Sequence, residues 1–397
     1  PITYQTPIFE SLYERIKKNG LDIDIEVLFG DDLSLRKVFY DELNSSVTFD
    51  HDLRLGQFPN RFLKNYAKDS RKGFFSRINP GIIKDIVMKR RDVLIIHGYE
   101  TLTAWLTLIF AKLFFRKVIF RGEAVLEGNP YHLGFLRKIK AMVLPLFFSA
   151  TDAVMYSCEG NKRYFKHYKV ADSNLFFLPC AVNNNFFIQR ANEFEGRDLE
   201  IRRELGIPED HFVIFFCARF TSRKRPLDLI NAVGQIENKN ITIIFIGGGD
   251  LKDAMENEAA NDQVNVIFPG YLGLEDISKY AFVSDLAVTI SDKDPSPKSI
   301  NEAMLFSLPI IVTDVVGTAY DLVEEGKNGY IIGVGDIESL ADKIDHIRNN
   351  PDKALAMGEH SRRIVETWNF DTGSLALVEA IDYVSNQNVK GDDLFGR

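Results

Sequence analysis

The sequence predicts an α/β protein of two doubly wound domains in tandem, each a parallel sheet with helices on both faces. Three observations predict it. Apolar runs of strand length alternate with amphipathic segments of helix length along the whole chain. The runs are continuous in Val, Ile, Leu and Phe, as in strands buried on both faces. And 397 residues, 45% of them hydrophobic and 26% charged, are enough for two separate cores. The same composition excludes collagen-like, disordered and disulfide-rich classes. The longest apolar stretches, 104–115 and 141–150, fall short of the roughly 18 residues that cross a bilayer.

In the first half the spacing predicts strands at Ile23–Phe29, Val93–Ile96, Val118–Phe120, Ala153–Tyr156 and Leu175–Leu178. Helices are predicted between them at Pro7–Lys18, Gly81–Arg91, Leu102–Phe115 and Glu159–Tyr168. A doubly wound domain opens on a strand, yet a helix comes first here. The expectation is therefore that the first strand lies upstream of Pro1 or survives only as its end. Asp31–Asn79 is polar and aromatic without a period and reads as irregular structure with short helices. The polar run Ala181–Asn185 marks the boundary, giving an amino-terminal domain 1–185 and a carboxy-terminal domain 186–370. After an acidic helix, Asn192–Leu205, the rhythm repeats with strands Phe212–Phe216, Thr242–Ile246, Val264–Phe268, Leu286–Ile290, Ile310–Thr313 and Gly329–Ile332.

The formal charge of −8 hides an asymmetry. Residues 1–185 carry 27 Lys and Arg against 20 Asp and Glu, whereas the remainder is strongly acidic. Cys158, Cys180 and Cys217 lie in or beside apolar runs with no metal-ligand spacing, which predicts buried thiols of a reducing compartment. The first 30 residues hold no apolar signal-peptide core, so the expected location is cytoplasmic.

Candidate chemistry concentrates between Phe215 and Gly329. In a parallel sheet, ligands bind at the carboxyl ends of strands. Arg219 and Lys224 follow one such strand in the run Arg219–Arg225, where they suit a phosphate or diphosphate, or equally a solvated basic loop. Gly247-Gly248-Gly249 ends the next strand, where glycine admits a ligand or simply makes a tight turn. Gly270-Tyr271 ends another and offers backbone to a flat base. In Asp292–Met304, Ser296 is predicted to cap a helix opening at Pro297, with an anion site at its first turn near Lys298 and Ser299. Glu302 suits a ribose diol or a solvated helix face, and Asp294 suits a sugar. Asp292 and Asp294 mimic a metal motif, but with no third hard ligand nearby no metal is expected.

The order of these elements resembles the nucleotide-sugar half of the GT-B, family-4 retaining glycosyltransferases: Arg219 and Lys224, Gly247–Gly249, Pro269-Gly270, Asp294 with Glu302-Ala303-Met304, Leu308–Val312, Gly317 and Asn328-Gly329. The resemblance covers most of residues 174–345. It implies two domains facing across a cleft, with Arg219 and Lys224 on the diphosphate, Glu302 on the ribose, Asp294 on the transferred sugar and the backbone near Lys298 and Ser299 on a phosphate. It also implies retention of configuration, a final helix at Asp371–Val384 crossing back to the first domain ahead of a tail to 397, and a UDP- or GDP-sugar as substrate with no further cofactor. The sequence departs from the family where Asp294 replaces Glu, where Ser296-Pro297 replaces Phe-Gly, and at Asp314–Thr318.

On the amino-terminal side, Arg121-Gly122-Glu123 stands where many members have His. This variant, with Gln5–Phe9 and Arg163-Tyr164-Phe165, resembles a subset of bacterial polysaccharide-locus enzymes. His97, Arg121 and Glu123 are the acceptor-side candidates, although His97 fits a satisfied core histidine equally well. Residues 51–170 hold 22 basic against 9 acidic residues, and Phe135–Leu144 interleaves cations with apolar groups. That pattern suits an anionic membrane surface, as a lipid-linked acceptor would require, or a core helix with a solvated basic face. The expected activity is transfer of a sugar from a nucleotide donor to a glycan or lipid-linked hydroxyl in cell-surface polysaccharide assembly, by a protein peripheral on the inner membrane face. The expected partners do not include nucleic acid. An epimerase or phosphorylase of the same architecture, or a silent scaffold, are the alternatives.

Overall fold

A computed structural model describes residues 5–32, 38–40, 45–47, 56–69, 73–89, 91–126 and 134–392. The chain forms two compact units, one built from the described residues up to Pro179 with the last helix, the other from Cys180–Asn369. The division lies a little before Asn185, because a helix opening at Asn184 already packs within the second unit, its Asn184 amide donating to the Val365 carbonyl at 3.2 Å.

The amino-terminal unit runs α1 (Thr6–Asn19), β1 (Val27–Phe29), β2 (Val38–Tyr40), β3 (Ser45–Val47), β4 (Asn60–Phe62), α2 (Gly81–Met88), β5 (Val93–His97), α3 (Leu102–Leu113), β6 (Lys117–Arg121), α4 (Gly134–Ser149), β7 (Ala153–Tyr156), α5 (Glu159–His167) and β8 (Leu175–Phe177). Strands β5 to β8 form a parallel sheet in sequence order, β1 pairs parallel with β4, and β2 pairs antiparallel with β3. Among its described residues the stretch 31–79 holds short strands together with one short 3-10 helix, Phe74–Ser76, so the expected short helices are accompanied by strands that the sequence did not indicate. The predicted strand Ile23–Phe29 shortens to Val27–Phe29. Leu21, Ile23 and Ile25 reach a core cluster without a partner strand, and the ladder starts only where Val27 meets Asn60. One face of the main sheet buries Ile119 and Met155 with Ile8 and Leu12 of α1; the other buries Phe120 and Val118 with Leu108, Phe147, Phe148 and Phe165. Burial on both faces is why these strands read as continuous apolar runs.

The carboxy-terminal unit runs α6 (Asn184–Phe194), α7 (Asp198–Glu204), β9 (Phe212–Cys217), α8 (Pro226–Gln235), β10 (Ile241–Ile246), α9 (Lys252–Asn261), β11 (Asn265–Gly270), α10 (Leu274–Phe282), β12 (Leu286–Thr289), α11 (Lys298–Leu305), β13 (Ile310–Thr313), α12 (Ala319–Leu322), β14 (Gly329–Ile332), α13 (Ile337–Arg348) and α14 (Pro351–Glu366). The acidic helix expected at Asn192–Leu205 is two helices, because Gly196 takes a left-handed φ of 77° between them. All six strands are parallel, in the order β11-β10-β9-β12-β13-β14. The chain steps outward one way from β9 to β11 and then the other way from β12 to β14. The reversal between β9 and β12 is a topological switch point, the position at which sheets of this kind bind ligands beyond the carboxyl ends of their strands.

The last helix, α15 (Phe370–Asp392), belongs to the amino-terminal unit. Its Leu377, Ala380 and Val384 join Ile8 and Leu12 of α1 in one core cluster, and Arg15 of α1 donates to Asp371 at 2.5 Å and to the Ser374 hydroxyl at 2.9 Å.

Candidate functional site

At the switch point the loops after β9 and β12 are fastened together by cations of the first and acids of the second. Lys224 pairs with Asp294, and both side chains are close to nine-tenths buried. Arg225 holds Asp292 at 2.9 Å and Asp228 at 2.6 Å, while the Asp292 amide donates to the Arg223 carbonyl at 2.9 Å. Both acids of the metal-like tripeptide are thus engaged by cations. Among the described residues no group of three His, Cys, Asp or Glu is arranged to hold a metal. Asp294 is further fixed by its own backbone, whose carbonyl accepts from Gly317 at 2.8 Å.

Glu302 lies on α11 and is buried, which excludes the solvated-face reading. A carboxylate taken out of water calls for compensating partners. Burial pushes the Cys217 thiol at the end of β9 up to about 12, with Glu302 adding to the shift and Lys224 opposing it. Lys224, Asp294 and Glu302 therefore gather around the carboxyl end of β9. The sequence offered Asp292 only as half of a metal-like motif and gave Arg225 no role of its own, because their pairing depends on which loops the topology makes neighbours.

The predicted helix cap is corrected. The helix begins at Lys298 with Pro297 as its cap residue, no side chain caps it, and the Ser296 hydroxyl is buried without a hydrogen-bond partner. Pro297 takes an extended ψ of 119°, so the chain turns helical one residue later than its fixed φ allows. The amides of Lys298 and Ser299 still fall in the first turn, where no preceding helical carbonyl is available. The Lys298 ammonium contacts the Cys180 thiol, and the Asn301 amide donates to the Cys180 carbonyl at 3.3 Å.

The glycine turn after β10 lets the chain approach itself. Gly247 has φ +128° and a Cβ there would lie 2.1 Å from the Ala218 carbonyl oxygen; at Gly249, with φ +154°, it would lie 2.5 Å from that of Phe220. The Phe220 amide donates to the Gly248 carbonyl at 2.9 Å, so the turn holds the β9 loop in place. Tyr271, just beyond Gly270, donates to the same Gly248 carbonyl at 3.1 Å. Partial burial raises its phenol pKa while the charge of Arg219 opposes, which puts Arg219, itself exposed, within electrostatic reach of Tyr271.

In the amino-terminal unit, His97 and Arg121 are register partners at the carboxyl ends of β5 and β6. Arg121 is buried and meets Glu123 at 3.5 Å. The His97 ring hydrogen-bonds the Gln5 side-chain nitrogen at 2.8 Å. His97 is solvent-exposed as a residue, yet surrounding protein and then the Arg121 charge push its pKa down to about 4, against the opposing pull of Glu123. His97 is therefore a neutral hydrogen-bonding group near neutral pH and not a satisfied core histidine. Gln5, at the start of α1, is a further residue that no local pattern connects to His97.

Residues 198–364 match the family model for glycosyl transferases group 1. The chain is 22% identical over 374 residues to the capsular polysaccharide biosynthesis glycosyltransferase CapM of Staphylococcus aureus, covering 92% of this chain and 90% of that one. It is 31% identical over 190 residues to spore coat protein SA of Bacillus subtilis, covering 44% of this chain and 49% of that one. The chain thus spans about half the length of the spore coat protein. Among solved structures, Anabaena Alr3699/HepE in complex with UDP and glucose superposes with a TM-score of 0.70 at 17% identity, over 95% of each chain. The two doubly wound units are those of a GT-B fold.

Proposed function

We propose, for a chain whose residues 198–364 are a group 1 glycosyl transferase domain on a GT-B fold, that it transfers a sugar from a UDP- or GDP-linked donor to an acceptor hydroxyl in cell-surface polysaccharide assembly, with retention of configuration. The observation that carries this reading is the cluster of Lys224, Asp294 and Glu302 at the switch point of the carboxy-terminal unit. The UDP and glucose of the Anabaena complex and the capsular role in the name of the Staphylococcus relative support it.

Cleavage of the bond between the sugar and the diphosphate leaves negative charge on the departing phosphate. Lys224, Arg219 and the first-turn amides of α11 at Lys298 and Ser299 stabilise that charge, the amides without reorganising. Glu302 accepts two hydrogen bonds from the ribose diol, Asp294 accepts from the transferred sugar, and Gly248, Gly249, Gly270 and Tyr271 border the base. Binding of the diphosphate draws Lys224 from Asp294, freeing that carboxylate for sugar hydroxyls. The acceptor hydroxyl is held by His97, Arg121 and Glu123. With its low pKa, neutral His97 is a weak base, so it orients the hydroxyl while the departing phosphate takes the proton on the face from which it leaves. The acceptor is a glycan or a lipid-linked saccharide met at an anionic membrane surface.

Incubation with UDP- and GDP-sugars, with and without a lipid extract, tests the proposal. Nucleotide release that rises with extract and yields a glycosylated product is expected. Release independent of acceptor would favour an epimerase, phosphate-dependent release a phosphorylase, and absence of donor binding a silent scaffold.

A further inference from the structure

Helices α3 and α4 cover one face of the amino-terminal sheet with Leu108, Leu144, Phe147 and Phe148. Surface helices ordinarily turn polar residues the other way. These two expose an apolar surface instead. Met142 and Leu146 of α4 are about 70% exposed and Leu113 of α3 is 62% exposed. Ile109 and Ile139 add to the same helix faces, one turn from Leu113 and Met142. An open cavity of about 450 Å³ between the helices is lined by Ile109, Leu113, Leu146 and Phe147, so the two apolar stripes share one surface.

Phe115 is an independent sign. Its amide donates to the Lys112 carbonyl at 3.2 Å and that of Arg116 to the Ala111 carbonyl at 2.7 Å, the helix-ending pattern whose left-handed position glycine normally fills. Phe115 occupies that position at φ 55°, a conformation that disfavours bulky side chains, and the residue is 93% exposed. So exposed a side chain contributes little packing to offset that conformation.

Charge identifies the occupant. Neither α3 nor α4 contains an Asp or Glu, while Lys112, Arg137, Lys138 and Lys140 lie on them and Arg116 follows Phe115. Lys138 stands exposed one turn before Met142; the side chains of Phe135, Leu136 and Arg137 lie outside the described residues. Lys112 is taken up by Asp152, just beyond α4, but the remaining cations leave the surface net basic, which disfavours a second copy of itself in a two-fold contact and attracts anionic lipid.

We propose that the α3–α4 surface docks on an anionic lipid bilayer, with Phe115, Leu113, Met142 and Leu146 in the acyl boundary and Lys138 and Arg116 at the headgroup phosphates. This needs none of the residues assigned to sugar transfer. The test is flotation of the full chain with vesicles of equal parts phosphatidylcholine and phosphatidylglycerol, against phosphatidylcholine alone. Wild type is expected to bind the anionic vesicles, less as salt rises. Met142→Asp with Leu146→Asp should weaken binding by more than about tenfold. Phe115→Gly should weaken it about threefold or more while leaving the melting temperature equal or higher, since glycine suits the left-handed position. UDP binding by each variant separates docking from the donor reading, and should match wild type. Failure of wild type to float with anionic vesicles, variants that float as well as wild type, or a dimer in sedimentation velocity that these substitutions dissociate would each overturn the proposal.

Discussion

Replacing Lys224 with Met removes one half of the Lys224–Asp294 pair while keeping the length of the stem. Both side chains are mostly out of solvent, at 12% and 13% exposure, so the Asp294 carboxylate is left without its cation and with little access to water. Breaking a buried pair on one side costs about 3–5 kcal/mol. In a unit of this size, each kcal/mol moves the melting temperature by about 2–4 °C, so the transition of the carboxy-terminal unit should fall by about 6–20 °C. Asp294→Asn alone should cost less, because the long ammonium stem of Lys224 can turn toward water. In the double variant the charge imbalance disappears, and its loss should be smaller than the sum of the single losses by at least about 1.5 kcal/mol. Calorimetric scanning of the four proteins measures this directly. A Lys224→Met melting temperature within 2 °C of wild type, or single effects that simply add, would refute the pairing as the organiser of the switch point.

Gly247→Ala places a methyl group against the Ala218 carbonyl at a positive φ, and should destabilise by at least about 2 kcal/mol, read as a lowered melting temperature; an unchanged one contradicts the close approach. His97 has a pKa near 4 in the folded chain against 6.5 for its ordinary value, so between those limits the unfolded chain binds the extra proton. Stability should therefore fall as pH drops from about 6.5 to about 4, and His97→Gln should flatten that slope in urea titrations across the window; parallel profiles would show that His97 is not held neutral. Arg219→Ala, at an exposed position, should leave the melting temperature unchanged while weakening UDP or GDP binding about tenfold, as removal of one charged hydrogen bond implies; unaltered affinity would remove Arg219 from the diphosphate site.

What the sequence disclosed follows from which forces are local. Ile310–Thr313 and Gly329–Ile332 are strands to the residue, because both faces of each are covered and the apolar run ends where the strand does. Lys224, Asp294 and Glu302 stood out as residue types just beyond strands and on a helix, and the parallel topology brings them to one place. Distant partners were not legible. Asn60 decides where β1 begins, and Arg225 reaches Asp292 only because β9 and β12 are neighbours. Local competition hid other features: Gly196 divides an acidic helix whose periodicity runs on, and Pro297 displaces Ser296 from the cap. The charge pattern of Phe135–Leu144 suited either an anionic membrane surface or a solvated basic face, but the exposed Phe115 and Leu113 belong to the preceding helix and its end, where hydropathy alone reads as core.

The central claim is that the switch point of the carboxy-terminal unit holds a nucleoside diphosphate through Glu302 and the neighbouring cations. Isothermal titration of UDP and GDP into wild type and into Glu302→Gln tests it most directly. Saturable binding of one nucleotide to wild type, weakened by about tenfold or more in the variant, is the predicted result, since a carboxylate hydrogen-bonded to a diol contributes about 1.5–3 kcal/mol. Binding of neither nucleotide to wild type, or equal affinity in the two proteins, would contradict it.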